Sequence, residues 1–118
     1  MTSSKRSLDI APVVFEQIED QSIYYREHAA ESMVSRWNEA VQAAMRSLRT
    51  MPQRGALCNF SRRSLRDLRR LRIDGFQNHI LLYRFDPDSD VVSVLGVIHA
   101  SRDLEAALVR IPPPGEQQ

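Results

Sequence analysis

The sequence predicts an α+β domain, in which an N-terminal two-helix hairpin packs on one face of a mainly antiparallel sheet. Three observations carry that expectation. Apolar residues recur at three- and four-residue spacing through two stretches between positions 13 and 50. Three short apolar runs, separated by two turn signals, then fill 68 to 98. The resulting order is strand, helix, helix, loop, then three strands joined by tight turns.

Ser7-Leu8-Asp9-Ile10 alternates and reads as the first strand. Pro12 suits the first turn of a helix, where its missing N–H costs nothing. Phe15, Ile18, Ser22, Tyr25 and Ala29, with Val14 beside them, form the stripe of a helix over about 13 to 28. A second helix, over about 30 to 50, has the cleaner stripe Val34, Trp37, Val41, Ala44/Met45 and Leu48. Trp37, the only tryptophan, is expected to anchor the core. Pro52 and Gly55 end this helix. Residues 53–67 lack a period and read as a loop, with one helical turn near Ser64.

A strand over about 68 to 74 follows from Leu71 and Ile73 facing one way and Arg70 and Arg72 the other. Gly75-Phe76-Gln77-Asn78 is the expected hairpin turn. His79 to Phe85 forms the next strand, Asp86-Pro87-Asp88-Ser89-Asp90 a second turn, and Val91 to Ile98 a long strand. Gly96 marks a bulge or a close backbone approach. The last two strands are apolar on both faces, so both faces must be covered. The helices cover one. A C-terminal helix carrying Leu104, Ala107 and Leu108, or a partner chain, is expected on the other.

At 118 residues the chain fits a single domain, with residues 7–110 as the folded unit and 1–6 and 111–118 as flexible ends. No apolar run approaches the ~20 residues of a membrane helix. Met1 to Arg6 leads into no apolar segment, which argues against a secretory signal and for a cytoplasmic location. The single Cys58 has no neighbours at zinc spacing, so neither a metal nor any other cofactor is expected.

The net charge of +1 hides an asymmetry. Between positions 46 and 72 nine arginines stand against one acid, Asp67, a local charge of +8. Such a block attracts nucleic acid or an acidic protein segment unless acids elsewhere pair with it. Glu16, Glu19, Asp20, Glu27, Glu31 and Glu39 on the helices are the available acids.

No phosphate loop, carboxylate pair or serine elbow occurs. The polar residues of the sheet and its ends are Arg70, Arg72, Tyr83, Arg84, His99 and Arg102. Arginines with a histidine can bind and cleave RNA, the arginines holding phosphate while the histidine takes the 2′-hydroxyl proton. In the plainer reading Tyr83 packs in the core, His99 ends a strand and Arg102-Asp103 pair at a turn.

Four segments together resemble the ParE branch of the RelE/ParE toxin superfamily: Pro52-Gln53-Arg54-Gly55, Leu71-Arg72-Ile73-Asp74-Gly75-Phe76, Ile80-Leu81-Leu82-Tyr83-Arg84, and Val97-Ile98-His99-Ala100-Ser101-Arg102-Asp103-Leu104. Each is weak alone, but their order and spacing span nearly the whole chain. The resemblance implies a RelE/ParE-like sheet with two N-terminal helices, and a bacterial toxin neutralised by a cognate antitoxin. RelE-like members cleave messenger RNA on the ribosome. They usually carry an arginine three residues before the strand tyrosine and a tyrosine near the C-terminal end. Here Ile80 stands three before Tyr83, and no tyrosine follows it. ParE-like members instead poison DNA gyrase by binding.

The resemblance therefore implies a gyrase inhibitor without catalytic residues. It implies a ParD-like antitoxin with an acidic, partly apolar C-terminal segment, and a contact surface comprising Arg72, Tyr83, Arg84, His99 and Arg102. The alternative is a ribosome-dependent endoribonuclease using Arg70, Arg72 and His99.

Overall fold

The computed structural model describes residues 6–100 and Leu104. The elements in chain order are β1 (Ser7–Ile10), α1 (Pro12–His28), α2 (Glu31–Ser47), β2 (Ala56–Leu57), a 3₁₀ turn (Arg63–Leu65), β3 (Arg69–Ile73), β4 (Phe76–Asp86) and β5 (Val91–His99). They form one five-stranded sheet of order β1-β5-β4-β3-β2. The neighbours from β5 to β2 pair antiparallel, as expected. β1 instead lies parallel to β5, so the sheet is mixed. Arg6, just before β1, is anchored by an ion pair to Asp90 at 3.2 Å and by its backbone N–H on the Arg49 carbonyl.

The helices cover one face. On α2 the buried residues Val34, Trp37, Val41, Ala44 and Met45 are those of the expected stripe, and Leu48 caps the helix from inside the core. The helix stops at Ser47 rather than near 50, because the Leu48 and Arg49 N–H groups turn back to carbonyls three residues earlier. On α1 the inward line is Val14, Ile18, Ser22 and Tyr25. Phe15 is a correction to the expected stripe, since it points out and is 57% exposed. Ser22 is tolerated inside because its hydroxyl donates to the Ile18 carbonyl at 3.0 Å and accepts from Asn38 Nδ2 at 3.3 Å.

Two irregularities shape the sheet. The hairpin turn is Asp74-Gly75, with Gly75 at φ +83°, and Phe76 already belongs to β4. The turn expected at 75–78 is thus shorter, because Asp74-Gly75 alone reverses the chain, with Gly75 supplying the left-handed position that a side chain would disfavour. The register then slips between Arg72 and Ile73, so Phe76 and His79, three apart, both reach Trp37 on the helix side. On β5, Leu82 pairs Gly96 while Tyr83 pairs Val94, leaving Leu95 as the bulged residue. Val94 and Val97 therefore share the helix face, and Leu95 and Ile98 the other. The side chain of Gln17 fills the resulting gap, its Oε1 accepting the Val97 N–H at 2.7 Å.

The opposite face carries a second apolar cluster of Ile80, Leu82, Leu95 and Ile98. Leu65 and Leu68 close it from the segment before β3, with Cys58, Phe60 and Leu104 packed around them. Much of the expected C-terminal cover lies outside the described residues. The expected loop at 53–67 thus provides part of that cover and also contributes β2.

Candidate functional site

The second face is an apolar floor with arginines around it. Residues directly opposite in a ladder share a face, so Arg70, opposite Leu82, and Arg72, opposite Ile80, rise from the floor's edge. Leu65 pins the 3₁₀ turn into the cluster, which leaves Arg62, Arg63 and Arg66 exposed beside it. The guanidinium groups of Arg46, Arg54, Arg63, Arg66 and Arg70 make no hydrogen bond or ion pair with any described residue. The helix acids do not neutralise the block: among the described residues the ion pairs are Arg6–Asp90, Arg26–Glu31 and Arg84–Asp67.

Arg84 has a structural assignment. Its Nε and Nη2 donate to both Asp67 oxygens at 2.7 and 3.1 Å, and Nη2 also donates to the Ser64 carbonyl at 2.7 Å. This two-pronged contact fastens the 3₁₀ segment to the sheet and occupies the single acid of the arginine block. Arg69 is similarly committed, Nη1 donating to the Gly55 carbonyl at 2.6 Å and to that of Gln53 at 3.2 Å. Arg72 Nη1 donates to the Gln77 carbonyl at 2.8 Å, yet the residue remains exposed.

Tyr83 lies on the helix face, fully buried, its hydroxyl accepting the Gly55 N–H at 2.9 Å. Burial pushes the phenol above its ordinary range, with the Gly55 hydrogen bond and Arg69 opposing. It offers no contact surface. His99 ends β5 opposite His79, their ring centroids 5.2 Å apart, and both stand on the helix face. Arg102 lies outside the described residues. The set Arg70, Arg72 and His99 is therefore divided between the two faces of the sheet. Among the described residues no group of three or more His, Cys, Asp or Glu side chains could hold a metal ion.

One further polar residue, His79, carried no signal in the sequence. His79 is buried under Trp37, with centroids 4.9 Å apart, and burial together with His99 lowers its pKa. It sat unmarked in an apolar run. Cys58 is half-buried beside Arg70, and burial raises its thiol pKa against that positive charge.

The geometry suits docking: an apolar floor fringed by guanidinium groups that have no acid partner among the described residues. No helix of the described residues is long and apolar enough to cross a membrane. The solved structures similar to this chain include the chromosomal ParDE toxin–antitoxin system from P. aeruginosa. That match has a TM-score of 0.67 and 11% identity, over 84% of this chain and 100% of the other. The RelBE2 toxin–antitoxin complex from Mycobacterium tuberculosis matches with a TM-score of 0.54 and 20% identity, over 80% of this chain and 98% of the other. A comparison with curated proteins gives no match. The family model of the ParE toxin of type II toxin–antitoxin systems, parDE, matches residues 9–104, and the chain belongs to that toxin family.

Proposed function

We propose that this toxin acts in the cytoplasm by binding DNA gyrase, or the DNA that gyrase holds, and not by cleaving RNA. The observation that carries the reading is the division of the ribonuclease set. Arg70 and Arg72 project from the second face while His99 stands with His79 on the helix face. A histidine must come within hydrogen-bond reach of the proton it abstracts from a substrate held by those arginines, and here the sheet lies between them. Ile80, at the position where the nuclease branch carries arginine, is 3% exposed in the apolar floor. The floor and its arginines give a surface for a partner with phosphates or carboxylates.

The antitoxin contribution is an acidic, partly apolar segment on the same face, with Arg63, Arg66, Arg70 and Arg72 as its charged contacts. The RelBE2 relative was solved as a toxin–antitoxin complex, which supports such a partner here. Of the contact residues expected from the sequence, Arg72 and His99 hold exposed positions, whereas the Arg84 guanidinium is engaged with Asp67 and Tyr83 is buried.

Induction of the chain in bacteria tests the target. Filamentation, an SOS response and early arrest of DNA synthesis are expected, together with gyrase-linked DNA breaks in a purified cleavage assay. Prompt arrest of protein synthesis with cut transcripts would show that the target is the ribosome instead.

A further inference from the structure

A cleft of about 490 Å³ lies on the helix face, at the connected end of the helix hairpin where β4 begins and β5 finishes. Its wall is aromatic. The register slip in β4 brings Phe76 and His79 to the same side, where both meet Trp37 at centroid distances of 5.2 and 4.9 Å. Tyr25 packs against Trp37 and Phe76, and Tyr24, 53% exposed, forms the outer lip.

His79 distinguishes this cleft from an ordinary gap between elements. It is nine-tenths buried and lines the cleft, and its imidazole makes ring contacts but no hydrogen bond with any described residue. A neutral imidazole carries one donor and one acceptor with which to meet a ligand in the cleft. The side-chain amides of Gln21, Gln77 and Asn78 also line the cleft without a partner among the described residues. Among the described residues Arg36 supplies a guanidinium with no ion pair, and no carboxylate lines the space.

We propose that this cleft binds a nucleobase carrying a phosphate. The base stacks on the exposed ring of Tyr24 and packs against the tilted rings of Tyr25 and Phe76, its edge meets His79 and the amides, and the phosphate rests on Arg36. Planar stacking, an edge bearing both donors and acceptors, and an attached anion are combined in a nucleotide. An aromatic peptide side chain would stack but leave His79 and the amides unpaired. The site is on the opposite side of the sheet from the docking face, so it stands independently of the gyrase reading.

Trp37 is the sole tryptophan and touches three wall residues, so its fluorescence reports occupancy. The full chain is titrated with AMP, adenosine, inorganic phosphate and a ten-residue single-stranded DNA, with calorimetry in parallel. Saturable binding of AMP is expected, about tenfold tighter than adenosine through one charge-assisted contact. Arg36→Gln should abolish that tenfold gap while leaving adenosine affinity unchanged, a pattern that loss of folding would not give. His79→Phe, checked for folding by thermal melting, should weaken both ligands alike. Tighter binding of the strand than of AMP identifies nucleic acid as the source of the nucleotide, and equal or weaker binding a free nucleotide. The proposal is overturned if AMP does not saturate, if phosphate alone binds as well, if either variant behaves as the parent, or if a peptide ending in tryptophan displaces AMP at lower concentration.

Discussion

Beneath Trp37, His79 occupies a place where a positive charge would be costly. Its pKa in the fold lies below the ordinary 6.5, through burial first and the neighbouring His99 second. The unfolded chain therefore takes up this proton more readily than the folded one. Its contribution to stability is present above about pH 6.5 and is lost as pH falls through that value toward the folded pKa. Melting temperature is expected to drop between pH 7.5 and 5.5, and His79→Phe to flatten that part of the profile. Gly55 is a second single-residue constraint, set by space. A Cβ there would lie 2.7 Å from Tyr83 Oη and 2.8 Å from the Arg70 carbonyl. Gly55→Ala should cost roughly 1–3 kcal/mol, the usual range for overpacking, measured by denaturant unfolding.

At the scale of elements, the bulge on β5 depends on α1. Gln17 Oε1 accepts the Val97 N–H, which the ladder leaves without a strand partner. Gln17→Leu should lose about 1–3 kcal/mol by leaving a partly buried donor unsatisfied, whereas Gln17→Glu keeps an acceptor and should lose less. Calorimetric melting of both variants checks the difference. These elements also show what the sequence disclosed. The stripe Val34–Trp37–Val41 fixed α2 because its period is strong and its outer face charged. Phe15 misled the reading of α1, because the phase there is set by Val14, Ile18 and the tolerated Ser22, whose hydroxyl bonds are tertiary. The two-residue β2 has too little periodicity to be seen. The site was legible in part: Arg70 and Arg72 alternate against Leu71 and Ile73, which revealed their shared face. That Arg84 closes on Asp67, 17 residues away, is a long-range pairing that spacing does not encode.

At the scale of the whole molecule, charge is separated. Acids lie on the helices and the arginine block lies around the second face and its approaches, with no ion pair joining them among the described residues. Association with an acidic antitoxin segment should consequently weaken as salt rises from 50 to 500 mM, through slower association, because exposed charges are screened beyond about 10 Å at 0.1 M. Stopped-flow mixing would measure it, with Arg63→Gln and Arg66→Gln together reducing the slope. The parallel pairing of β1 with β5 has another consequence. The first strand takes its backbone partners from Asp90 to Val94, and the first helix reaches Val97, 80 residues further along. A chain emerging from the ribosome cannot assemble this core until nearly all of it has been made. Contacts so distant in sequence also slow folding. Synthesis of a partial chain thus yields no toxin, and the interval between translation and folding is a period in which a neutralising partner can already be waiting.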